Sequence, residues 1–93
     1  MKEITKKEFI NLIESSEKIG ITIRVESYIK LCIDYMFFGF NVIEDEIIFY
    51  KKFSENHFSF NFNEIRFMGK EGNKITIYLD DAVDTKIEIS NIV

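Results

Sequence analysis

The sequence predicts an α+β fold, with an N-terminal helix packed on a curled antiparallel sheet, a meander of five to seven strands. Three observations carry this. One stretch near the start has apolar residues at helical spacing behind a helix-start signature. From Ile21 onward the apolar period falls to two over most of the chain. The segments between alternating runs are short, which favours turns between neighbouring strands over crossovers. With 93 residues, 46% of them hydrophobic, the chain holds one modest core, so residues 1–93 are expected to form a single domain.

The helix is the clearest element. Thr5-Lys6-Lys7-Glu8 reads as a capping box, the Thr5 hydroxyl receiving the Glu8 amide and the Glu8 carboxylate returning to the Thr5 amide. Ile4 and Phe9 flank it as a hydrophobic staple. Phe9, Leu12, Ile13 and Ser16 share one face, and Gly20 supplies a stop, so the helix spans about Lys6 to Lys18.

From Ile21 to Phe37, Ile, Val, Leu and aromatic residues alternate with a second set containing Arg24, Glu26, Lys30, Cys32, Asp34 and Met36. The run is too long for one ordinary strand, and a bend or break is expected near Glu26-Ser27. A helix through Tyr28, Leu31, Cys32, Tyr35 and Met36 is the rival, but β-branched and aromatic content favours strand. Phe40–Ile43 and Ile47–Tyr50 form two strands around the acidic turn Glu44-Asp45-Glu46, and Ser54–His57 is a loop. Phe58, Phe60 and Phe62 alternate, then the parity flips before Ile65 and Phe67, so a bulge or short turn is expected at Asn63-Glu64. Gly69–Asn73 reads as a turn, Ile75–Leu79 as a strand, Asp80–Asp84 as a second acidic turn, and Ile87 and Ile89 mark the last strand.

Composition narrows function without naming it. Twelve Lys and Arg against 16 Asp and Glu give a net charge of −4. No basic run exceeds two residues, and arginine occurs only at Arg24 and Arg66, so direct nucleic-acid binding is not expected. The single cysteine, Cys32, excludes an intramolecular disulfide and fits a reducing compartment. The charged N-terminus has no signal-peptide core, and the aromatic run Tyr35–Phe40 is too short to span a bilayer. A cytoplasmic protein without membrane association is the expectation. Ile, Lys, Asn and Phe, all read from AT-rich codons, are abundant and proline is absent, which points to an AT-rich genome.

No reaction chemistry emerges. One cysteine and one histidine (Cys32 and His57) leave little for nucleophilic catalysis or zinc. Asp80, Asp81 and Asp84 lack EF-hand spacing, and four glycines at 20, 39, 69 and 72 make neither GxGxxG nor a P-loop. Phe58, Phe60 and Phe62 could stack bases, but they lack flanking cations and are read as core. The expectation is therefore a non-enzymatic, cofactor-free domain that binds a protein partner.

The profile of a small, acidic, motif-free chain with AT-rich codon usage resembles that of phage-encoded inhibitors, including anti-CRISPR proteins. That resemblance implies occlusion of a basic nucleic-acid-binding surface on a nucleic-acid-processing complex, and it assigns no residues. The residues expected to meet a partner are Glu44, Asp45 and Glu46, Asp80, Asp81 and Asp84, with Met36 and Phe38 as an outward apolar patch. The alternative is a β-rich assembly subunit that forms a homo-oligomer through that patch and an edge strand.

Overall fold

The computed structural model describes residues 1–16, 21–27, 32–37, 39–50 and 57–92, the side chains of Ile21 and residues 32–37 excepted. In chain order the elements are β1 (Lys2–Glu3), α1 (Lys6–Ser16), β2 (Ile21–Glu26), β3 (Cys32–Phe37), β4 (Gly39–Ile43), β5 (Glu46–Tyr50), β6 (His57–Asn61), a 3₁₀ turn (Phe62–Glu64), β7 (Ile65–Glu71), β8 (Lys74–Leu79) and β9 (Lys86–Ser90). The fold is α+β: among the described residues there is one α-helix, and the strands pair antiparallel throughout.

The strands form two sheets, a six-stranded one ordered β1-β7-β8-β9-β2-β3 and a three-stranded one ordered β4-β5-β6. This differs from the expected single meander. The local pieces are as expected: β4-β5-β6 and β7-β8-β9 are each meanders, and β2-β3 is an antiparallel pair. The joint between them is long-range. β9 lies against β2, bringing Ile89 opposite Ile23 and Ile87 opposite Val25, while Ile75 and Ile77 of β8 pair with the same two isoleucines. Aligned apolar partners on one face favour that register.

The helix begins as its capping box dictates. The Glu8 amide donates to Thr5 Oγ1 at 3.2 Å, and the Thr5 amide donates to Glu8 Oε1 at 3.3 Å. Phe9 and Ile13 are buried, and the buried Ser16 hydroxyl donates to the Leu12 carbonyl at 2.7 Å, so its polarity is met within the helix. The predicted stop at Gly20 falls outside the described residues. The Phe9 ring lies 6.1 Å from the Phe60 ring and 5.9 Å from that of Phe62. Phe9 and Ile13 thereby join Ile23, Ile75, Ile77, Ile87 and Ile89 of the large sheet, and Ile47, Phe49 and Phe60 of the small one, in a single buried cluster.

Two local expectations shift, those for Gly69-Lys70 and for His57, while the strand reading of 32–37 stands. The rival helix is absent at 32–37, where Ile21 pairs with Phe37 and Glu26 with Cys32; β2 ends at Glu26, where the break was expected. Gly69 and Lys70 are strand, not turn, because Lys2 and Glu3 pair with them, and Ile4 donates to the Met68 carbonyl at 3.0 Å. The turn contracts to Gly72-Asn73, with Gly72 at φ +60, which glycine adopts without steric cost. His57 opens β6 instead of closing a loop. The parity flip after Phe62 is the 3₁₀ turn, where the Asn63 amide donates to the Asn61 side chain at 2.8 Å. A register shift between Ile65 and Phe67 follows, leaving Arg66 as the extra residue.

Candidate partner-binding surface

The β4–β5 hairpin supplies the first acidic turn. Val42 pairs with Ile47 and Ile43 with Glu46, leaving Glu44 and Asp45 to turn the chain, Glu44 at φ +55. A tight hairpin turn requires such a left-handed residue, although glutamate is not its cheapest occupant. Glu44, Asp45 and Glu46 are all exposed. So are Ile43, at 60%, and Val42, at 37%, so the hairpin tip combines apolar surface with carboxylates. Ile43, Glu44, Asp45, Glu46 and Asn61 line a 280 Å³ concavity there.

The second acidic turn follows β8. Asp81 is its internal brace: its carboxylate accepts from the Val83 amide at 3.3 Å, the Thr85 amide at 3.0 Å and the Thr85 hydroxyl at 2.6 Å. The Thr85 hydroxyl is the main reason its carboxyl sits below the ordinary aspartate range, since these donors favour the charged form. Asp80 and Asp84 are exposed, Asp84 at φ +48.

The 3₁₀ turn brings these two turns together. The Phe62 amide donates to the Asp45 carbonyl at 2.7 Å, and the Asp80 amide donates to the Glu64 carbonyl at 2.6 Å. Asn63, between them, reaches Asp45 Oδ2 at 3.3 Å. Two acidic turns far apart in the chain thus share one edge, and the exposed Glu64 adds a carboxylate to it. Lys6 is a countercharge: its Nζ stands 3.5 Å from Asp45 Oδ1 and 4.8 Å from the centre of the Phe62 ring. That pair is solvent-exposed and worth little by itself, and Glu44, Glu46, Glu64 and Asp80 form no ion pair with a described residue.

Of the residues singled out from sequence, Glu44, Asp45, Glu46 and Asp80 gather on this edge. Asp81 is committed to its own loop, and Asp84 ends the same turn. Met36 lies on β3 opposite Thr22, with its side chain outside what is described. Phe38 falls outside the described residues. Glu64, Val42 and Ile43 were missed. Nothing in the local pattern places Glu64 beside the hairpin, because a hydrogen bond between distant segments does so; Val42 has the parity of a core residue, opposite buried Ile47, but sits near the hairpin tip, and Ile43 shares the outward face with Asn41, opposite exposed Glu46.

The phenylalanine ladder is not a stacking platform: Phe60 is buried, and Phe58 and Phe62 pack against the core. Among the described residues, no group of three or more His, Cys, Asp or Glu is arranged to hold a metal ion. No helix among them is long and apolar enough to cross a membrane. Comparison with family models, with curated proteins and with solved structures finds no match.

Proposed function

We propose that the protein is a non-catalytic, cytoplasmic binding domain whose acidic edge docks on a basic surface of a protein partner. One observation carries the proposal: the 3₁₀ turn joins two acidic turns into one edge, with the apolar Val42 and Ile43 beside it. An apolar anchor inside a charged rim is the anatomy of a protein interface, where the anchor supplies affinity and the charges supply steering. Carboxylates aligned along an edge mimic the charge of a phosphate backbone. A basic nucleic-acid channel is therefore the partner surface this edge suits, as in phage-type inhibitors of the anti-CRISPR kind. The scaffold in this reading is α1 packed over the sheets, supported by the burial of Phe9 and Ile13.

The test is capture from nuclease-treated host lysate at low and high salt, with wild type beside a variant carrying E44K, E46K and D80K. Wild type is expected to retain a nucleic-acid-processing protein at low salt, and the folded variant to lose it. Equal capture by both overturns acidic docking. A homo-oligomeric assembly subunit is the second reading, favoured by β4 being an outer strand that carries exposed Val42 and Ile43. Sedimentation showing a concentration-independent monomer would remove it.

A further inference from the structure

Beside the second acidic turn lies another concavity, of 390 Å³, lined by Glu26, Ser27, Arg66, Tyr78, Asp84 and Lys86. Four segments meet there: the end of β2, the irregular start of β7, β8, and the turn entering β9. Its size is at the lower end of the roughly 300–1,000 Å³ typical of small-molecule sites. Arg66 is aimed by the register shift in β7, a device that redirects a side chain otherwise bound to strand alternation. Its guanidinium carbon stands 5.8 Å from the centre of the Tyr78 ring. Among the described residues, no carboxylate pairs with it.

A second, independent mark is the Ser27 hydroxyl, whose oxygen is buried and makes no hydrogen bond. Buried polar atoms are normally satisfied, so one left open at the wall of a cavity points to a missing partner. The other charges define what that partner is. Lys86 is engaged with Glu88 at 2.9 Å, and Glu26 with Arg24 at 3.6 Å. Arg66 is left as the open cation and Asp84 as the open anion. A phosphate would set its second charge against Glu26 and Asp84, and a simple amine would meet Arg66 and Lys86. A molecule carrying both charges meets neither objection.

We propose that this concavity binds a small amphoteric ligand of the α-amino acid class. Its carboxylate lies on the Arg66 fork, and a rotation of the Ser27 side chain, whose hydroxyl is covered and unpaired without ligand, brings that hydroxyl onto the same carboxylate; the ammonium lies toward Asp84 and Glu26. The guanidinium already lies over the Tyr78 ring, so less side-chain freedom is lost on binding. The site is separate from partner docking, and either can fail without the other.

The experiment is a ¹⁵N chemical-shift titration of the full chain at constant ionic strength, with L-alanine, acetate, ethylamine and inorganic phosphate as probes. Alanine is expected to shift the Ser27, Arg66, Tyr78 and Asp84 amides saturably, with acetate and ethylamine at least tenfold weaker. R66K keeps the charge but removes the fork, and is expected to weaken alanine binding at least tenfold. S27A removes only the hydroxyl and is expected to weaken it severalfold, with circular dichroism unchanged for both variants. No saturable response to alanine, or an unchanged response in both variants, overturns the site. Acetate or phosphate binding as tightly as alanine overturns the amphoteric class.

Discussion

Replacing Phe9 with alanine removes an α1 ring that is 0% exposed and stands 6.1 Å from the Phe60 ring of β6. Phe→Ala substitutions in well-packed cores cost about 3–5 kcal/mol, through lost transfer energy and the cavity left behind. The ring has neighbours at 6.1 Å and 5.9 Å, Phe60 and Phe62, so collapse around the hole would have to drag β6 with it. The upper half of that range is therefore expected. A chain of 93 residues is stable by about 5–14 kcal/mol, so this one change removes about 30% or more of the total. Urea unfolding followed by circular dichroism reads it directly: the midpoint should fall by about 3 M at an m-value near 1.5 kcal/mol/M, with m unchanged. F9L, which keeps most of the volume, should cost only about 1 kcal/mol. A double-mutant cycle of F9L with F60L should show a coupling of about 0.5–1.5 kcal/mol. A loss below about 1 kcal/mol for F9A would refute the reasoning, because the helix would then be held by something other than this ring.

Further expectations follow from single contacts. T5A removes one half of the reciprocal capping box and should cost about 0.5–2 kcal/mol, read by chemical denaturation. G72A places a side chain at φ +60 and should cost about 1 kcal/mol, with G72N milder, by the same measurement. The carboxyls of Asp81 and Glu88 are both held below the ordinary range, Asp81 mainly by the Thr85 hydroxyl and Glu88 mainly by its hydrogen bond with Lys86. Their stabilising contribution is thus complete above about pH 5 and disappears as the pH falls through the lowered values. Thermal melts should drop across that acid window, and D81N should flatten part of the drop. Lys86 is shifted upward, chiefly by the same bond to Glu88, so its contribution persists through neutral pH and is lost only as the pH rises through the raised value.

What was legible in the sequence was local. The capping box, the break at Glu26-Ser27, the acidic hairpin and the parity flip near Asn63 are each written in a few neighbouring residues, and each has its counterpart in the structure. What was illegible depends on partners far along the chain. Gly69-Lys70 has the composition of a turn, yet two N-terminal residues pair with it and hold it extended. The six-stranded sheet is joined by β9 choosing β2, a preference visible only when Ile23 and Ile89 are set side by side. For the candidate surface, the sequence supplied the acids but not their adjacency, and it could not separate Asp81, which braces its own loop, from the exposed Asp80 next to it.

The pairing of β9 with β2 also bears on how the chain is made. Ile23 is synthesised long before Ile89, and until the later strand emerges, the β2–β3 pair has a bare edge where β9 will lie. The β4-β5-β6 meander, built from near neighbours, can form meanwhile. Such long-range closure is slow, typically on the order of milliseconds to seconds, and it exposes a strand edge for that time. The nascent chain is therefore most prone to self-association just before residues 86–90 arrive. A version ending before Lys86 should aggregate through the uncovered edge of β2.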